Sequence, residues 1–244
     1  TLELDLQISQ DGKVVVSHDA YFHSRYATRP DGSEVKSEDP KEYLYTMPYS
    51  TIAKYDVGKR PSPDWPGKEQ SPAIKPLATE LIDSVENYVK ANGLDPMRYN
   101  IEIKSRKGKD EGKNWPEYHE FVDKCMELLL SKNLGDRLVV QCFDARALNY
   151  MHEKYPQVKL SYLISKKDTD WDTYMGRLNF TPDWLSPEFV IVDQTMVDNC
   201  RKAGIRLVPW TVDNEADIRR ILDLHVEAII TNYPDRVLKI TRGY

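Results

Sequence analysis

Residues 77–105, LATELIDSVENYVKANGLDPMRYNIEIKS, decide the fold. Residues 77–92 carry apolar side chains at helical spacing and stop at Gly93, the residue type that most easily turns a chain out of a helix. Residues 99–105 then alternate apolar and polar positions, as a strand with unlike faces does. A helix that closes onto a strand, with the pair repeated downstream, is the pattern of a parallel sheet wrapped by helices.

The pair does repeat. WPEYHEFVDKCMELLLSK (115–132) predicts a helix, RLVVQCFD (137–144) a strand, ARALNYMHEKY (145–155) a helix and KLSYLIS (159–165) a strand. After a helical or irregular stretch following Lys166, the pattern continues through DWLSP (183–187), VDQTMVDNCRKAG (192–204), IRLVPWTV (205–212), NEADIRRILDL (214–224) and EAIIT (227–231). With LELDLQIS (2–9) this makes seven barrel-type strands, one short of the eight that close a (β/α)8 barrel. An open doubly wound sheet is the alternative, but the first turns lack its Gly-rich dinucleotide fingerprint. The predicted fold is therefore α/β: a TIM (β/α)8 barrel lacking its first strand and helix in this chain, forming one domain over residues 1–244. A preceding βα unit of ~25 to 40 residues is the simplest account of the strand count.

Residues 21–75 interrupt the rhythm. They hold seven of the 15 prolines and six of the 15 tyrosines and sustain neither a period of 2 nor one of 3.6. So long a segment inside a domain predicts an insertion that caps the barrel and touches substrate, and its aromatic content argues against simple disorder.

Composition narrows the function. Lysine and arginine number 34 against 39 aspartates and glutamates, a net charge of −5, which leaves none of the basic footprint that nucleic-acid binding requires. The three cysteines are odd in number and far apart, and suggest neither a disulfide framework nor a thiolate zinc site. No apolar run approaches the ~18 residues of a membrane span. The partner expected is a small molecule; the compartment and oligomeric state are not legible.

The chemistry sits in the opening hairpin, TLELDLQISQDGKVVVSHD (1–19). Glu3 and Asp5 share one strand face while Leu2, Leu4 and Leu6 share the other, and unpaired buried carboxylates are costly enough to require compensation. Placing Asp11-Gly12 as a two-residue turn pairs Gln7 with Val16 and Asp5 with His18, so that His18 joins the acidic face. Residues 99–105 repeat the design, with Glu102 and Lys104 on one face, and Gln141 brings a further polar group onto a strand. Glu3, Asp5 and Glu102 are hard oxygen donors suited to Ca2+ or Mg2+. Lys104 would meet a phosphate oxygen and His18 would move a proton, which together describe metal-assisted phosphoester cleavage.

These segments, together with PLATELIDSV, VVQCFDARAL, GIRLVPWTVD and AIITNYPD, resemble the glycerophosphodiester phosphodiesterase family over nearly the whole chain outside the insertion. The resemblance implies a TIM barrel that hydrolyses glycerophosphodiesters to sn-glycerol 3-phosphate and an alcohol in glycerophospholipid catabolism. It implies Glu3, Asp5 and Glu102 as ligands of Ca2+ or Mg2+, His18 beside Asp19 as one of two acid–base histidines, and Lys104 as a phosphate contact. Gln141 and Trp210 are implied to bind substrate. The family's His-Arg-Gly run, which supplies the other histidine, does not occur here, so the chain as given is expected to have little activity. A phospholipase D-like barrel acting on sphingomyelin or lysophospholipid, and a catalytically inactive phosphodiester-binding barrel, are the alternatives.

Overall fold

Alternation of leucines with polar residues produces strand β1 (Leu2–Ile8), and its oily side, Leu4, Leu6 and Ile8, is buried. The computed structural model describes residues 1–63, 65 and 67–242. Asp64 and Pro66 of the predicted insertion and the last two residues of the predicted domain lie outside the described residues. The described chain forms two compact units, Thr1–Arg137 and Leu138–Tyr244.

In the first unit β1 pairs antiparallel with β2 (Val14–Val16) and parallel with β3 (Tyr99–Ile103), in the order β2-β1-β3. Before them in space lie two helices, α2 (Ala78–Ala91) on β2 and α3 (Tyr118–Ser131) on β2 and β3; a short helix α1 (Tyr49–Ile52) precedes both in sequence. The helices bury Ile82, Phe121, Val122, Met126 and Leu129, while β3 buries Tyr99, Ile101 and Ile103. Helix α2 ends where predicted: Asn92 caps it and Gly93 follows with φ +62°.

The hairpin departs from the predicted register. Leu6 faces Val16 and Gln7 faces Val15, one residue away from the pairing that a two-residue turn would impose. The physical reason is Gly12, whose φ of +73° makes a three-residue loop: the Gly12 N–H donates to the Ser9 carbonyl at 2.9 Å and the Ser9 N–H to the Lys13 carbonyl at 3.0 Å. The Asp11 carboxylate is occupied elsewhere, accepting from Ser9 Oγ at 2.6 Å and from the Tyr49 N–H at 2.9 Å.

The insertion has a core of its own. Phe22, Ala27, Val35, Leu44, Ile52 and Tyr55 cluster against Val15 of β2, with the Phe22 and Tyr55 rings stacked at 3.8 Å. Arg29 ties its turns together, donating to Asp39 at 2.6 Å, to Glu42 at 2.7 Å and to the Glu34 carbonyl at 2.8 Å. Without regular secondary structure over most of its length, the segment is ordered by apolar burial and by guanidinium bridges, Arg29 and also Arg60, which donates to the Ala27 carbonyl at 2.8 Å.

In the second unit β4 (Leu138–Cys142), β5 (Lys159–Ile164), β6 (Trp184–Pro187) and β7 (Arg206–Leu207) pair in parallel in that order. The helices between and after them are α4 (Ala145–Lys154), α5 (Trp171–Met175), α6 (Gln194–Ala203), α7 (Glu215–Asp223) and α8 (Pro234–Arg242). Asp144, Asp170, Asp193 and Asn214 each accept a backbone N–H at a helix start, the work of an N-cap. The predicted strand at 227–231 is not formed as such; Glu227 and Ile230 donate to the carbonyls of Leu207 and Pro209, and Val212 donates to Ile230. Pro209 has no N–H to complete a ladder there, and on the other side Pro187 withholds a donor from the β6–β7 ladder, beyond which β7 does not extend.

Replacing Gly12 by alanine forces a side chain into left-handed backbone, and the added Cβ would meet Lys124 Nζ at 3.1 Å. The G12A variant is expected to lose about 1 kcal/mol of unfolding free energy in urea titration, with the loss arising in the turn.

Candidate active site

The parallel register of β1 and β3 places Asp5 directly opposite Glu102 and Glu3 opposite Asn100. Like charges facing each other across a sheet repel, and here one is deep: Glu102 is buried. Lys104 answers both, with its Nζ 3.0 Å from Glu102 Oε1 and 3.4 Å from Asp5 Oδ1. Glu3 closes the group, for one oxygen each of Glu3, Asp5 and Glu102 lie within 4.8 Å of one another.

Burial pushes the Glu102 carboxyl well above the usual carboxylate range, and Asp5 adds to the push while Lys104 resists it. Burial pulls the Lys104 ammonium down, but Glu102 and Asp5 outweigh this and hold it above the ordinary lysine range. With all three carboxylates ionised, the cluster and its one ammonium carry two negative charges, the charge that one divalent cation would balance. Three converging carboxylate oxygens are the donor set of a hard divalent ion, and Glu3, Asp5 and Glu102 would hold one.

His18 is not opposite Asp5, contrary to the predicted pairing, because the three-residue turn shifts β2 by one. Ser17 takes that place, its N–H donating to the Asp5 carbonyl at 2.9 Å. His18 is instead oriented by its neighbour: Nδ1 lies 3.2 Å from Asp19 Oδ1, and the imidazole is 72% exposed, open to an incoming molecule. Asp19 itself is well held. Burial works against its charge, yet bonds from His18 and Tyr26 and the nearby Lys75 lower its pKa to about 2, so it is an anion throughout the neutral range. Beside an anionic Asp19 the tautomer with the proton on Nδ1 is favoured, which leaves Nε2 of His18 facing outward from that pair.

Sequence reasoning missed the groups behind this pair. Tyr26 Oη donates to Asp19 Oδ2 at 3.0 Å, Lys75 Nζ to Ser17 Oγ at 2.6 Å, and Ser17 Oγ to the Asp19 carbonyl at 2.6 Å. No hydropathy signal marks them, since Lys75 is buried while its neighbour Ile74 is 47% exposed, the reverse of what the residue types suggest.

The other two predicted residues lie in the second unit. Gln141 is buried on β4, in register with Ser161 of β5, and Ser161 Oγ meets Ser186 Oγ of β6 at 2.8 Å, so a polar layer crosses three strands. Trp210 Nε1 donates to the Ser186 carbonyl at 2.8 Å, and Phe143 sets its ring edge-on to Trp210 at 5.5 Å. Phe143 is 39% exposed, which makes an accessible aromatic corner that the sequence reading did not include. Of the remaining histidines, His119 pairs with Glu117, His152 stacks on Phe180, and His23 stands between Tyr21 and Tyr26 with its Nδ1 accepting the Arg25 N–H. His225 turns the chain after α7 with φ +56°.

An acidic metal-type cluster at a parallel strand pair, with a histidine–aspartate pair on the adjoining hairpin, is the equipment of a phosphoester hydrolase. Comparison with known proteins gives the family: residues 1–236 match the model of the glycerophosphoryl diester phosphodiesterase family. The chain belongs to that family and is a phosphoric diester hydrolase. It is 26% identical over 251 residues to a glycerophosphodiester phosphodiesterase of Bacillus subtilis, covering all of this chain and 77% of the relative. It is 24% identical to a lysophospholipase D of Homo sapiens, covering 97% of this chain and 75% of that one. Among solved structures, a Silicibacter pomeroyi protein assigned as a glycerophosphoryl diester phosphodiesterase superposes with a TM-score of 0.85 at 23% identity, covering 99% of this chain and 83% of the other. An Oleispira antarctica phosphodiesterase in complex with the product sn-glycerol-3-phosphate superposes at 0.71 with 20% identity, covering 97% and 83%. The likeness shows the fold, the α/β architecture of the barrel class that the alternating pattern predicts.

Lys104→Met would leave Asp5 and Glu102 facing each other with no cation between them. In chelator, K104M is expected to lose about 3 kcal/mol of unfolding free energy, the order found when one partner of a buried pair is removed. The double variant E102Q/K104M should recover most of that loss, and urea unfolding of the three proteins checks both statements.

Proposed function

We propose that this enzyme hydrolyses glycerophosphodiesters to sn-glycerol 3-phosphate and an alcohol, using a divalent cation and histidine acid–base chemistry. The observation that carries the proposal is the convergence of Glu3, Asp5 and Glu102 oxygens within 4.8 Å beside Lys104. These three residues would hold Ca2+ or Mg2+, which when bound offsets the charge that builds on the phosphoryl oxygens. Lys104 contacts a phosphate oxygen from the side of the cluster. His18, with Nδ1 engaged by Asp19, takes or returns a proton at an ester or hydroxyl oxygen through Nε2. Gln141 and Trp210 are assigned to substrate contacts. The product held by the Oleispira antarctica phosphodiesterase supports the product named here.

A second reading has one observation in its favour, the likeness to a lysophospholipase D, in which the substrate would retain an acyl chain. Full-length protein assayed on glycerophosphocholine, glycerophosphoethanolamine, lysophosphatidylcholine and sphingomyelin separates the two readings. Release of glycerol 3-phosphate from the first two is the expected result, while release of choline from the acylated lipids alone favours the second.

Chelator should abolish that release, and Ca2+ or Mg2+ should restore it. His18→Ala is expected to lower kcat by about 10²- to 10⁴-fold with a smaller effect on KM. Activity that survives both chelation and H18A would end the proposal. Trp210→Ala is expected to raise KM more than it lowers kcat, since a contact made equally in ground and transition states is removed.

A further inference from the structure

Lys75 is the last residue of the insertion and one of the few charged side chains withdrawn from solvent, at 6% exposure. A lone ammonium in such a place costs folding free energy unless it is hydrogen-bonded and faces an anion. Lys75 has both. Its Nζ donates to Ser17 Oγ at 2.6 Å, and the same hydroxyl donates onward to the Asp19 backbone carbonyl at 2.6 Å. The ammonium lies 5.6 Å from the ring centres of both Phe22 and Tyr26, within cation–π range, and the Tyr26 hydroxyl donates to Asp19 Oδ2 at 3.0 Å. The other Asp19 oxygen meets His18 Nδ1. The titratable groups around Lys75 are thus Asp19, Tyr26 and, through its own carbonyl, the Tyr49 hydroxyl at 3.2 Å, with His18 one bond further out.

We propose that Lys75 is a positioning residue: its buried ammonium, through Ser17 and with Tyr26, holds Asp19 in place to orient His18. The proposal rests on the reading of His18 as the proton-transfer group. It gives the insertion a task beyond covering the site. Asp19, Phe22 and Tyr26 stand at or beside its beginning and Lys75 at its end, so the folded cap clamps the pair from both ends of its chain. Burial lowers the Lys75 pKa from the ordinary lysine value to about 8, with Asp19 drawing it back up, so the charge is present at neutral pH and is lost as pH rises through that value.

The test compares wild type, Lys75→Met and His18→Ala on glycerophosphocholine with saturating divalent cation. K75M fills the same space but removes the ammonium that faces Asp19, so it should melt below wild type while staying folded at the assay temperature. At about pH 7 its kcat should be lower by about tenfold with KM within about twofold, the size expected of a modest misplacement of a reacting group. At about pH 9.5 the two proteins should converge, because wild-type Lys75 has by then lost its own charge. A structural role alone would give a ratio that does not change with pH. If H18A is inactive while wild type and K75M coincide at every pH, or differ by a constant factor, the role of Lys75 is overturned and the acid–base reading stands. If H18A retains wild-type activity, that reading itself falls. Should K75M fail to fold, wild type decides: the Lys75 side chain, followed by carbon-13 NMR, must titrate together with the alkaline loss of kcat. A Lys75 that stays charged through that loss, or a kcat that does not fall there, overturns the proposal.

Discussion

Everything at the site depends on one enforced repulsion, the carboxylates of Asp5 and Glu102 set face to face by the parallel register of β1 and β3. A sheet that only needed to be stable would place branched apolar residues at these positions, as it does at Leu4, Leu6, Ile101 and Ile103. The leucines and isoleucines fix the register, and the register then leaves the two acids no freedom to separate. Lys104 quenches part of the field, and the remainder is a standing demand for positive charge at one point in space. Asp5 and Glu102 differ in this from scattered surface acids, which relax into solvent at little cost.

The same backbone carries the second chemical group. The Ser17 N–H bonds to the Asp5 carbonyl, so the segment bearing His18 and Asp19 is registered against the strand that bears the acidic cluster, and not left to a free loop. Groups that act together on one molecule gain from such rigidity, because small errors of placement cost large factors in rate. The three-residue turn at Gly12 therefore matters beyond the hairpin. It decides that a serine, and not the histidine, faces Asp5, and it frees His18 to lie at the surface under the control of Asp19.

Most of the architecture was legible because two periods carry it. Helical spacing over 77–92 and alternation over 99–105 lead directly to α2 and β3. The acidic cluster was legible for a related reason, since alternate polar residues on an otherwise apolar strand leave a pattern that burial alone does not explain. The hairpin register was not, because Asp-Gly serves both a two-residue turn and the bulged three-residue loop, and the dipeptide alone does not choose between them. The strand at 227–231 failed for a local reason: Pro209 in the neighbouring segment withholds a donor.

Lys75 and Ile74 show where reading a sequence residue by residue reaches its limit. Hydropathy would bury the isoleucine and expose the lysine, and within the insertion no period exists to correct it. The inversion becomes intelligible only when the partners are known, a serine from the hairpin, two aromatic rings and an anion beyond them. A buried cation whose neighbours lead in two hydrogen bonds to the backbone of the residue beside a histidine is difficult to account for by packing alone. The insertion is folded around its own core, and residues from both of its ends, Tyr26 and Lys75, converge on Asp19.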